Sequence, residues 1–255
     1  MATLKEIQNT ELEILSFFAD FCERQNIRYT MIGGTMLGAV RHHGFIPWDD
    51  DVDVMVRLED AEKLEQFFRS DDFFLQTPGT DPEMPYILYK IRKNGTFMEG
   101  AQEKGLHLHK GVWIDVFFYT SAARGKAGRK LQMTAMRALQ SFRCRYYHAV
   151  NHPERVFHVM LTHIPNRLCL FFDKFLRSVI LLAGSKQSDE YFTMDVSKPF
   201  FQKKKFFDDQ ARYPFEDRSF RGAQDFDAFL SNKYGSDYMT PKRWGHIADY
   251  SEVTV

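Results

Sequence analysis

The sequence predicts an α/β (α+β) fold: a mixed sheet with flanking helices and a helical C-terminal part. Three observations carry this expectation. Residues 4–25 place apolar side chains close to helical period. Asp51-Val52-Asp53-Val54 alternates polar and apolar, the period of a half-buried strand. Helix, strand, helical turn, strand and helix then follow in the order of a compact layered sheet.

Each element has its own reason. Leu4, Ile7, Leu12, Leu15, Phe18 and Cys22 mark the first helix. Tyr29-Thr30-Met31-Ile32 reads as the first strand, and Gly33-Gly34-Thr35 turns the chain into a short helix ending near His42. The acid-bearing strand follows, then an amphipathic helix through Leu58, Ala61, Leu64 and Phe67-Phe68. Runs at 73–76, 87–92 and 96–99 predict further strands, and 113–118 is a strand with a single acid, Asp115. After Thr120 the texture changes, so a core at 1–120 and an extension at 121–255 are expected. Residues 125–149 read as a basic helix with Lys126, Arg129, Lys130, Arg137, Arg143 and Arg145. Beyond Pro165, the apolar stretch 168–183 contains Asp173, Lys174 and Arg177, too short and too charged for a membrane span. It is expected to be buried or at a subunit interface, with a membrane-surface helix as the alternative. Phe226, Phe229 and Leu230 precede Tyr234-Gly235 in a final short helix.

Composition narrows the classes. A chain of 255 residues can bury one core, or a core with an appended subdomain. Its 34 basic and 34 acidic residues balance, so no global field draws it to nucleic acid, and no nucleic-acid partner is expected. Cys22, Cys144 and Cys169 are widely spaced without a C-x-x-C pair, which disfavours disulfides or zinc. The first residues lack an apolar signal core, so a cytoplasmic location is the default.

The chemistry concentrates in residues 33–53, where Asp49, Asp50, Asp51 and Asp53 fall within five positions. On a strand, residues i and i+2 share a face about 7 Å apart. Two carboxylates so placed suit a hard divalent cation. The glycines before them let backbone N–H groups approach a phosphate, with a helix N-terminus pointing at it. Phosphate cradle followed by carboxylate pair is the layout of metal-assisted phosphoryl or nucleotidyl transfer. Rival motifs fail: an EF-hand requires Gly where Val54 stands, and there is no P-loop, no dinucleotide fingerprint and no G-x-S-x-G. A solvated acidic turn is the structural alternative, but acids are disfavoured in strands and repel on one face.

The run Gly33-Gly34-Thr35 … Leu37-Gly38-Ala39-Val40-Arg41-His42 … Gly44-Phe45-Ile46-Pro47-Trp48-Asp49-Asp50-Asp51-Val52-Asp53 resembles the signature of the LicD family. These phosphotransferases include bacterial phosphocholine transferases and fukutin-type ribitol-phosphate transferases. Tyr89-Lys90-Ile91-Arg92, Gly111-Val112-Trp113-Ile114-Asp115-Val116-Phe117 and Tyr234-Gly235 are similar too. The resemblance implies a nucleotidyltransferase-like core and transfer of a phospho-alcohol, phosphocholine foremost, from a CDP-activated donor. It implies Mg²⁺ or Mn²⁺ as cofactor. The implied acceptor is a glycan of lipopolysaccharide, capsule or teichoic acid, often lipid-linked, which brings peripheral contact with the inner membrane face. Two rivals stay open: a nucleotidyltransferase adding NMP from an NTP, and a non-catalytic cation- or glycan-binding module.

Asp51, Asp53 and Asp115 are the candidate catalytic and metal-binding residues. Asp115, in an apolar strand, needs a metal or a basic partner; as catalyst it would draw a proton from the acceptor hydroxyl. Gly33, Gly34, Thr35, Arg41, His42 and Lys90 are the candidates for nucleotide and phosphate. Arg41 and His42 would pair with diphosphate, or else with the acids. Lys90 would reach donor phosphates, or else guard an edge strand. Asp49 shares a face with Asp51 on the alternation argument, and Asp50 points away. His107 and His109, and the loosely spaced His148, His152, His158 and His163, read as structural or surface residues. Phe200-Phe201-Gln202-Lys203-Lys204-Lys205-Phe206-Phe207 could touch a membrane surface or single-stranded nucleic acid, or be a lysine loop between strands.

Overall fold

The computed structural model describes residues 2–195, 200–241 and 252–255. Helix α1 (Leu4–Arg24) starts in a capping box between Thr3 and Glu6 and lays Ile7, Ile14, Leu15, Phe18 and Cys22 on the sheet. Strand β1 (Tyr29–Met31) leads into α2 (Gly33–His42) and β2 (Asp53–Arg57). A 3₁₀ turn and α3 (Ala61–Phe67) connect β2 to the hairpin of β3 (Phe73–Gln76) and β4 (Tyr89–Lys93), then β5 (Trp113–Ser121).

The sheet runs β1-β2-β5-β4-β3. Only β2 and β5 pair in parallel; every other neighbour is antiparallel. β2 is an inner strand covered on both faces, which is why Val54, Met55 and Val56 are buried in succession rather than alternately. Helices α4 (Lys126–Arg143), α5 (Arg145–Asn151), α6 (Val156–Thr162) and α7 (Asn166–Ala183) follow. Then β6 (Glu190–Thr193) pairs with the far end of β5, and β7 (Phe201–Lys203) with β6. The position expected as a boundary ends β5, so one sheet takes strands from both sides of it. After α8 (Lys205–Asp208), the hairpin of β8 (Gln210–Phe215) and β9 (Arg218–Ala223) packs against β1 and α2, and α9 (Phe226–Tyr234) closes the described core.

Several expectations change. Residues 96–99 contribute only an isolated bridge from Phe97 to Thr254, not a strand. The basic helix breaks at Cys144, between α4 and α5. Nothing in the sequence marked the β8–β9 hairpin, whose turn puts Glu216 at φ 54 without Gly or Asn. In α7 the buried reading inverts. Asp173 and Arg177 face inward with Cys169 and Ile180, because Asp173 accepts a hydrogen bond from Arg143 Nε at 2.7 Å and forms an ion pair with Arg177 Nε at 3.0 Å. The phenylalanines of α7 face outward. Phe206 and Phe207 reverse the other way: both are core residues, so the Lys203–Phe207 segment offers no aromatic surface to a membrane.

Candidate active site

Register builds the site. Asp53, the first residue of β2, lies opposite Asp115 of β5, and Asp115 lies opposite Lys90 of β4. The row Asp53, Asp115, Lys90 therefore crosses three adjacent strands. Lys90 Nζ donates to Asp115 Oδ1 at 2.8 Å, and its ammonium sits 4.0 Å from the Trp113 ring centroid and 4.5 Å from that of Tyr86. β4 is an inner strand, so Lys90 is no edge guard, and its charge is committed to Asp115.

The glycine turn works by close approach. Gly33 takes φ +58, and a Cβ there would stand 2.7 Å from Asp53 Oδ2. At Gly34 a Cβ would stand 2.5 Å from Asp49 Oδ2. The groups that come down on the two glycines are thus the chain's own carboxylates. Thr35 is buried, and its hydroxyl accepts the Asp53 backbone N–H at 2.7 Å, tying α2 to the start of β2.

Asp49, Asp50 and Asp51 lie in the loop before β2, where strand alternation does not apply. Instead of Asp50 pointing away, one carboxylate oxygen from each of the three lies within 4.8 Å of the others, the one such metal-sized group among the described residues. Gln8 of α1 secures this loop by donating to the Asp49 carbonyl at 2.9 Å.

Crowding sets the electrostatics. Burial, then the neighbouring acids, push Asp51 up to about 7, and burial with Asp50 pushes Asp49 up to about 6. Asp53 is held well above the usual carboxylate range by burial, Asp115 and Asp51. Glu11 of α1 is 1% exposed, leaves Oε2 without a hydrogen bond, and is likewise raised by burial and by Asp51, Asp50, Asp49 and Asp115. So many acids with so few cations are costly unless something positive joins them. An all-oxygen donor set of this kind fits a hard divalent ion.

The acids open into a cavity of about 580 Å³ lined by Gly34, Arg41, Asp49, Asp51 and Asp53, together with Trp48, Lys233, Tyr234 and Tyr238. Arg41 Nε donates to His42 Nε2 at 2.9 Å and Nη1 to the Tyr238 carbonyl at 3.0 Å. That donation needs a neutral His42, consistent with burial and Arg41 lowering its pKa. His42 supports Arg41 and is not itself in the lining. The structure thus brings Gly34, Arg41, Asp51 and Asp53 to one cavity, sets Gly33 and Thr35 beneath it, and puts the Lys90–Asp115 pair alongside. His109 is structural: it stacks on Phe74 and accepts the Gly111 N–H. Glu11, Lys233 and Tyr238 escaped the sequence reading. Glu11 had one signal, an acid on the helical face between Ile7 and Ile14; Lys233 and Tyr238 arrive only through the tertiary fold.

Residues 26–167 match the model of the LicD/FKTN/FKRP nucleotidyltransferase domain, and the chain belongs to that family. It is 49% identical over 62 residues to lipopolysaccharide cholinephosphotransferase LicD of Haemophilus influenzae, covering 24% of this chain and 23% of that protein. It is 30% identical over 101 residues to human ribitol 5-phosphate transferase FKRP, covering 40% of this chain and 19% of that protein. The chain spans less than a quarter of the length of either relative.

Proposed function

We propose that this chain is a LicD-type phosphotransferase. It moves a phospho-alcohol, phosphocholine foremost, from a CDP-activated donor to a cell-surface glycan, with Mg²⁺ or Mn²⁺, at the cytoplasmic face of the membrane. One observation carries the reading: Asp53 and Asp115 in register on β2 and β5, beside the Asp49–Asp51 loop, with Asp49, Asp51 and Asp53 lining an open cavity. The relatives named above support the transferred group, and the oxygen-only donor set supports the ion.

Asp51 and Asp53, with Asp49 or Asp115, would hold the ion. When bound, it supplies charge neutralisation at the donor diphosphate. Arg41 grips the phosphate oxygens from the cavity wall. Asp115, held in place by Lys90, accepts the proton of the acceptor hydroxyl. Trp48 and Tyr234 give the walls apolar area for the rest of the donor.

A thermal-shift series tests this: CDP-choline, CDP-ribitol, CDP-glycerol, CTP and UDP-sugars, each with Mg²⁺ or with EDTA. A ligand stabilises only the fold that binds it, by about 2.7 kcal/mol at a hundredfold excess over Kd. CDP-choline should raise the melting point only with Mg²⁺. Equal shifts in EDTA would sink the metal bridge. Stabilisation by CTP alone, with pyrophosphate released on turnover, would favour the nucleotidyltransferase reading.

A further inference from the structure

Residues 124–186 contain twelve Lys or Arg and two acids, Glu154 and Asp173, a net charge of +10. The whole chain is neutral, so the remainder carries −10. Asp173 is buried with Arg143 and Arg177, which leaves Glu154 as the exposed acid of this segment. The chain's charge is thus divided, and the helices α4–α7 are where the positive share sits.

The same helices expose their apolar residues. In α7, Leu168 is 51% exposed, Phe171 62%, Phe175 53% and Leu182 85%. With Phe172 they recur at helical spacing, so they form one stripe, opposite the face that buries Cys169, Asp173, Arg177 and Ile180. Ideal helix geometry puts Arg167 and Lys174, both exposed, along one border of that stripe. Helix α6, three residues earlier, has no buried residue and exposes Phe157 at 66% and Met160 at 65%. Among the described residues no helix is long and apolar enough to cross a membrane.

We infer that α6 and α7 form an interfacial anchor that seats the chain on an anionic phospholipid surface. The phenylalanines enter the boundary between headgroups and acyl chains while Arg167 and Lys174 meet lipid phosphates. Aromatic stripe, basic border and an amphipathic helix that is not long and apolar enough to cross are what an interfacial anchor needs. The charge decides the occupant. A second copy seated face to face would oppose two surfaces of like sign, whereas an anionic leaflet complements both features at once.

The test uses the full chain with sedimentable vesicles of phosphatidylcholine, alone or mixed with phosphatidylglycerol, at low and high salt. The chain should pellet with the anionic vesicles, and less so at high salt. Phe171→Ser with Phe175→Ser removes two exposed rings without touching the core, and should weaken partitioning roughly tenfold or more at an unchanged melting point. Arg167→Glu with Lys174→Glu keeps the rings and should abolish the preference for anionic lipid. The inference is overturned if nothing pellets at low salt, or if neither pair of substitutions changes binding. A lipid-free dimer in sedimentation velocity that the phenylalanine pair dissolves overturns it as well, by assigning the face to a second copy.

Discussion

Asp53 is fixed from three sides. Thr35 holds its N–H, the Ile32 N–H donates to its carbonyl at 3.1 Å, and Gly33 leaves room for its carboxylate. None of these contacts neutralises the charge, and the nearest acids oppose it. Asp53→Asn keeps the size and removes the charge that would face a cation. Turnover should fall about a thousandfold or more, since loss of metal-borne stabilisation commonly costs several kcal/mol in the transition state. The melting point in EDTA should hold or rise, because one member of a repelling group has gone. Turnover near the parent's, or a melting point lower by many degrees, would make Asp53 a structural residue.

Helix α2 is the element on which the site turns. At Gly38 a Cβ would meet the Gly44 carbonyl oxygen at 2.5 Å and the Ile46 nitrogen at 3.3 Å, so the chain leading to Trp48 and Asp49 crosses directly over it. Alanine favours a helix over glycine by ~1 kcal/mol. Here the forced displacement of backbone costs about 1–3 kcal/mol and wins. Gly38→Ala should therefore lower the melting point and weaken CDP-alcohol binding together, measured by calorimetry on the refolded variant. Unchanged stability with unchanged affinity would contradict that packing. Elements of this kind are legible in the sequence because the signals are local: α1, β1, β3, β5 and α9 stand where their apolar runs put them, and α2 follows its glycine turn. The Asp49–Asp51 loop was misjudged because alternation was extended past the first ladder partner of β2. In α7 hydrophobicity alone predicts burial of the apolar side, whereas the ion pair of Asp173 with Arg177 takes the inner face. The β8–β9 hairpin, lacking a favoured turn pair, was invisible.

Across the whole molecule the acid group makes stability depend on pH. Asp49 and Asp51 titrate at about 6 and about 7 in the folded chain, against an ordinary 3.8. Raised pKa values mean that the folded state binds protons more tightly, so this contribution is complete below pH ~4 and is lost as pH rises through 6 and 7. Glu6 and Asp225 shift downward and act at lower pH, outside that window. Half-buried histidines such as His109 act with the opposite sign, so the comparison that isolates the acids is parent against Asp51→Asn. Denaturant titrations in EDTA should show the parent losing more stability than the variant between pH 5 and 8. Mg²⁺ should restore it most at the high end, where its ligands are free of protons. Parallel pH profiles for the two proteins would refute the coupling.

The parallel pairing of β2 with β5 also sets an order of events for a chain still folding. Asp53 and Asp115 are separated by a long excursion that includes the whole β3–β4 hairpin, so the two carboxylates meet only after that loop has closed. Closing it carries an entropy cost that local helices such as α1 escape. The carboxylate pair is therefore expected to form after the local helices, so a folding chain should gain helix before it gains the site. A cation added to a refolding mixture meets no assembled site at first. It binds as the sheet's centre zips, and so reports the arrival of the native register rather than guiding it.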